Sequence, residues 1–127
     1  MSNTTQKHLH RDKQRSIVDG WSPNFEYNVG NVKKHAVGHA GNYVLRVVQN
    51  NGYMRIVYVG NAKNLQAGLL HHLSGTKNKN LKLHMNDHML FFQCREAETK
   101  EERNGVERNL LQKYSPECNQ SMPVSAA

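Results

Sequence analysis

Two β-rich runs with a short polar turn between them constrain this chain most. Residues 43–48 (Tyr-Val-Leu-Arg-Val-Val) and 53–59 are dominated by β-branched and aromatic side chains, which suit a pleated, half-buried surface. Between them lies Gln49-Asn50-Asn51-Gly52, a segment rich in residues that tolerate positive φ. Together these predict an antiparallel hairpin.

Beyond the hairpin, helical and extended patterns alternate. Leu65, Leu69, Leu70 and Leu73 recur at the spacing of one helix face over residues 64–73. A polar, basic loop spans 74–80, a short helix is expected over 81–87, and residues 89–94 (Met-Leu-Phe-Phe-Gln-Cys) read as a third strand. Thr99 and Glu102 fit a capping box, in which each side chain satisfies an orphan backbone N–H of a new helix. That helix should run to about Tyr114 and stop before Pro116. Val106, Leu110 and Leu111 form its apolar side, and Gly105 suggests close approach to the sheet. The order predicts an α+β domain, an antiparallel sheet of about three strands flanked by helices. Ahead of it, residues 21–40 mix Trp21, Phe25 and Tyr27 with turn signals and read as an irregular extension. His35 and His39 could share a helix there at one-turn spacing. Residues 1–20 form a basic tail containing His8 and His10, expected to be flexible, and 121–127 a disordered tail.

At 127 residues the chain has room for one domain. No apolar stretch is long enough for a membrane span or a secretory signal, so a cytoplasmic location is expected. The two cysteines, Cys94 and Cys118, lack zinc-ligand spacing and read as reduced thiols. A formal charge of +7 favours a polyanionic partner through phosphate contacts and counterion release.

Gly41-Asn42-Tyr43, and Tyr58-Val59-Gly60 one hairpin later, resemble the GIY and YIG signatures of the GIY-YIG nuclease superfamily. Asn61-Ala62-Lys63-Asn64-Leu65 resembles the segment after YIG in the excision-repair endonuclease subunit. Leu69 and His72 match the next helix. Glu107, Leu110-Leu111, Lys113, Pro116 and Asn119 match the family's glutamate helix and its terminal Pro-x-x-Asn. The resemblance covers residues 40–120, which defines the domain as 41–120. It implies a DNA endonuclease using one divalent ion, Mg2+ or Mn2+, and it assigns site roles. Glu107 would hold the metal. Tyr43 and Tyr58 would line the site, one of them helping to activate water. His72 would hydrogen-bond within it, and Asn119 would tie it together as a supporting or backbone-capping group. Lys63, Lys77, Lys79 and Arg108 are candidate nucleic-acid contacts.

One position departs from the pattern. Gly68 stands where the family has an arginine that stabilises charge on the scissile phosphate. Strand alternation directs Arg46 and Arg55 away from the Tyr43 and Tyr58 face, so neither is expected to replace it; Lys63 and Arg108 remain. Alternatives to an impaired endonuclease are a catalytically inactive nucleic-acid-binding module and a protein-interaction domain on the same scaffold. A double-strand cut would call for a homodimer, since one site cleaves one strand.

Overall fold

In the computed structural model, which describes residues 20–36 and 38–120, the hairpin is the centre of a four-stranded antiparallel sheet. Its strands are β2 (Gly41–Val48) and β3 (Met54–Ala62). The turn closes through Gln49 N–H donating to the Tyr53 carbonyl (2.8 Å), with Gly52 at φ 90°. This is a backbone region that glycine enters without a Cβ penalty. β4 (Leu90–Glu96) pairs with the other edge of β2, and β1 (Phe25–Glu26) pairs with β4, so the order is β1-β4-β2-β3. The expected three strands are present and a short fourth is added.

That fourth strand and a helix, α1 (Val29–His35), occupy the segment expected to be irregular. Two residues of strand carry too little period to be recognised, and only Val32 of α1 is buried. The helix ends at His35, so His39 lies beyond it. His35 stacks on Phe25, with ring centroids 3.9 Å apart. The expected tails lie outside the described residues, except Gly20 at the edge of the first.

The remaining helices are α2 (Leu65–Gly75), α3 (Lys79–Asp87) and α4 (Lys100–Tyr114). Asn64, Asn78 and Thr99 cap their N-termini through side-chain oxygens. At Thr99 only half of the capping box forms. Thr99 accepts from Glu102 N–H (3.1 Å), while the Glu102 carboxylate turns to Arg95 (3.2 Å). α4 ends at Ser115 in the left-handed conformation, just before Pro116. Gly105 faces open space, so it serves no close approach to the sheet.

The sheet separates two cores. On one face Tyr43, Leu45, Val47, Val57, Leu90, Phe92 and Cys94 pack with Leu65, Leu69 and Leu81 of α2 and α3. On the other, Val44, Ile56 and Val59 pack with Trp21 and with Leu110 of α4. A bulge interrupts the hairpin register: Leu45 faces Tyr58, but Arg46 faces Ile56, leaving Val57 as the extra residue. A bulge of this kind resets strand alternation.

Candidate functional site

The two glycines of the hairpin signatures are steric requirements. A Cβ at Gly60 would lie 2.5 Å from Tyr43 Cζ, and one at Gly41 would lie 2.1 Å from the Arg95 carbonyl oxygen. Gly60 therefore lets the Tyr43 ring lie across β3, and Gly41 lets β4 close against β2. Between them Asn42, fully buried, donates from Nδ2 to the Arg103 carbonyl oxygen (3.1 Å) and fastens α4 to the sheet.

On the α2 side of the sheet, Tyr43, Tyr58 and His72 form one cluster. Ring centroids are 6.0 Å apart for Tyr43–Tyr58, 6.0 Å for Tyr43–His72 and 5.2 Å for Tyr58–His72. The Tyr43 hydroxyl lies 2.9 Å from His72 Nε2, and His72 Nδ1 lies 3.1 Å from Thr76 Oγ1. Burial, reinforced by Tyr58, pushes the Tyr43 phenol well above its ordinary value. Burial also raises Tyr58, but hydrogen bonding from Tyr43 opposes that rise. Burial, with a contribution from His71, lowers His72, which favours the neutral imidazole.

Glu107 on α4 acts on this cluster through its charge. Its Oε1 accepts a hydrogen bond from Asn61 Nδ2 at the end of β3, and its charge adds to the upward shift of both Tyr43 and Tyr58. Two phenols, a neutral imidazole and a carboxylate thus come from β2, β3, α2 and α4. Among the described residues no group of three or more His, Cys, Asp or Glu side chains converges as a metal site. The donor chemistry fits a hard divalent cation held by the Glu107 carboxylate with water and substrate oxygens completing the shell. It does not fit an all-protein cage.

Asn119 bonds the backbone of β3. Its Oδ1 accepts from Val59 N–H (2.7 Å) and its Nδ2 donates to the Val59 carbonyl (2.8 Å), so one carboxamide pairs with the free edge of β3 beside Tyr58. Gly68 is on α2, where a Cβ would lie 3.0 Å from Ala62 Cβ and 3.7 Å from Tyr43 Cε2. A side chain at 68 would therefore begin at the edge of the tyrosine cluster. Lys63, Lys77, Lys79 and Arg108 are all exposed, around the end of β3, the α2–α3 loop and the outer side of α4.

Two arginines separate at the bulge. Arg46 lies on the α4 face, as alternation predicts, and its Nε donates to Gln93 Oε1 (3.0 Å). Arg55 pairs with Val47, which shares the Tyr43 and Leu45 face, so the expectation that Arg55 points away is wrong. The inserted Val57 reverses the alternation between Arg55 and Tyr58. Arg55 is held there by Glu117, which also binds His84 Nε2. Two further residues at the site were missed. Asn61 supports Glu107 across 46 residues of chain, which no local pattern announces. Thr76 follows His72 by four residues, one helical turn, and that spacing was a usable signal.

No protein-family model matches the chain, and no curated protein sequence matches it. Among solved structures it is similar to the GIY-YIG N-terminal endonuclease domain of UvrC from Thermotoga maritima bound to its catalytic divalent cation, magnesium. The identity there is 24%, covering 71% of this chain and 97% of that one, at a TM-score of 0.52. It is also similar to an asparagine-to-alanine point mutant of that domain bound to its catalytic divalent cation, at 23% identity, with 72% and 97% coverage and a TM-score of 0.53. The overlap takes in nearly all of that domain, and the fold of this chain is accordingly the GIY-YIG endonuclease fold.

Proposed function

We propose that this protein is a metal-dependent DNA endonuclease of GIY-YIG type that hydrolyses one phosphodiester strand, with activity attenuated at Gly68. The observation that carries this reading is the Tyr43–Tyr58–His72 cluster, on which the Glu107 carboxylate acts electrostatically, on this fold.

The residues divide the work by environment. Glu107 would hold the divalent ion, Mg2+ or Mn2+, which when bound offsets charge on the phosphoryl oxygens. Tyr58 would line the path of the attacking water, and of the two phenols it is the one whose upward shift a hydrogen bond from Tyr43 opposes, while burial still favours its neutral form. Tyr43, more deeply shifted, remains protonated and donates. His72 stays neutral and orients the Tyr43 hydroxyl. Asn119 holds the strand that carries Tyr58. Lys63, Lys77, Lys79 and Arg108 meet backbone phosphates, as the net charge of +7 favours. The work is expected in the cytoplasm, and two copies would act together where both strands are cut.

Gly68 supports a second reading, a DNA-binding module that does not cut. It removes the cation that a side chain beside Tyr43 would supply, and loss of such a stabiliser costs on the order of 10²–10³ in rate. A protein-interaction role is the remaining alternative. A plasmid-nicking assay with Mg2+ and with Mn2+ separates them. The endonuclease nicks, and Glu107→Ala abolishes nicking. The module binds DNA with steep salt dependence and nicks with neither ion. An interaction domain does neither.

A further inference from the structure

We propose that Thr76 is a positioning residue: its hydroxyl donates to His72 Nδ1 and thereby holds the imidazole proton on Nε2, facing the Tyr43 oxygen. The role this serves rests on the nuclease reading of the tyrosine cluster. The hydrogen-bond assignment does not.

Local structure brings Thr76 into place. α2 ends at Gly75, whose φ of 148° a residue with a Cβ rarely adopts. Thr76 then turns back against the last helical turn, with Oγ1 3.1 Å from His72 Nδ1. Asn78 N–H donates to the same oxygen (3.1 Å). Asn78 is itself fixed: Oδ1 accepts from Leu81 N–H (3.0 Å) as the cap of α3, and Nδ2 donates to the Cys118 carbonyl (2.7 Å).

Counting donors among the described residues favours one direction. A hydroxyl has one proton and two lone pairs, and the Asn78 amide occupies one lone pair. If His72 Nδ1 carried a proton, Thr76 Oγ1 would accept twice, and its own proton would face no acceptor among the described residues. If Thr76 donates, every group is used. The chain then runs from Asn78 N–H to Thr76, from Thr76 O–H to His72 Nδ1, and from His72 Nε2–H to Tyr43, whose ring centroid lies 6.0 Å from that of Tyr58. The donors in this chain all run toward the Tyr43 hydroxyl. Next to Cys118, Asn119 bonds the backbone of Val59, the neighbour of Tyr58 in β3.

The test is nitrogen NMR of the imidazole in the full chain labelled at histidine, which needs no cleavage. The expected spectrum has His72 Nε2 protonated and Nδ1 unprotonated but shifted upfield by an accepted hydrogen bond. Thr76→Val should move the Nδ1 resonance downfield to the unbonded position, and Thr76→Ser should restore it. A one-bond proton coupling at Nδ1 in the unmodified chain overturns the proposal. So does an Nδ1 resonance indifferent to Thr76→Val. Absence of nicking would count against the nuclease reading alone and leave this assignment standing.

Discussion

Replacing Asn119 by alanine should destabilise the domain out of proportion to the atoms removed. Val59 lies on β3, the edge strand of the sheet, and is fully buried. Its N–H and C=O are satisfied by the Asn119 carboxamide at 2.7 and 2.8 Å. The alanine variant orphans one donor and one acceptor together. Each buried group left without a partner costs about 1–3 kcal/mol, and partial hydration of a strand edge keeps the pair near about 2–4 kcal/mol. For a domain of roughly 100 residues this lowers the melting temperature by about 8–32 °C, at about 4–8 °C per kcal/mol. Urea and thermal unfolding of the full chain measure it, with the denaturant slope unchanged if the native fold is retained. Asn119→Asp supplies a control. It keeps an acceptor for Val59 N–H, lacks the donor, and sets a carboxylate against the Val59 carbonyl, so it should lose at least as much. A loss under about 0.5 kcal/mol for Asn119→Ala, the range of an ordinary surface change, would refute the reasoning.

Gly60→Ala places a methyl 2.5 Å from Tyr43 Cζ, so the ring must move; a stability loss of about 1–3 kcal/mol is expected in urea unfolding, with a displaced Tyr43 ring resonance. Gly68→Arg removes a helix penalty of about 1 kcal/mol but sets a Cβ 3.0 Å from Ala62 Cβ. Stability should therefore change little, while nicking rises by on the order of 10²–10³ and Gly68→Ala shows no rise. His72 has a folded pKa below its ordinary 6.5, so the unfolded chain takes up its proton first, and stability falls as pH drops from 6.5 toward the folded value. His72→Gln should flatten that slope in urea midpoints measured between pH 7 and pH 5. Hydrogen bonds from Arg55 and then His84 hold Glu117 below its ordinary 4.5, giving stability that is present above 4.5 and lost as pH falls through the lowered value. Because this pair is exposed, Glu117→Gln should cost only about 0.2–1 kcal/mol at neutral pH.

The hairpin, the leucine face of α2, the Thr99 start of α4 and its stop before Pro116 were all legible in the residues, because each is a local matter of propensity, period or cap. Gly41, Tyr43, Tyr58, Gly60 and Glu107 were visible through the family resemblance carried by the signatures. The physical reason for the two glycines, a tyrosine ring and a carbonyl oxygen pressed against their Cα atoms, emerged only from packing. β1 and α1 were not legible, since a two-residue strand borrows its existence from β4, and α1 buries a single valine.

The sequence by itself determined an α+β domain with two phenols on paired strands and one glutamate on a late helix, since those arise from short-range pattern and motif. Only tertiary structure decided which side chains meet. The bulge at Val57 turned Arg55 onto the face that strict alternation denied it, and residues 59 and 119 were joined through a single carboxamide. Alternation and helical period extend only as far as an uninterrupted element. One inserted residue, or one hydrogen bond spanning 60 positions, lies beyond any window that pattern can read.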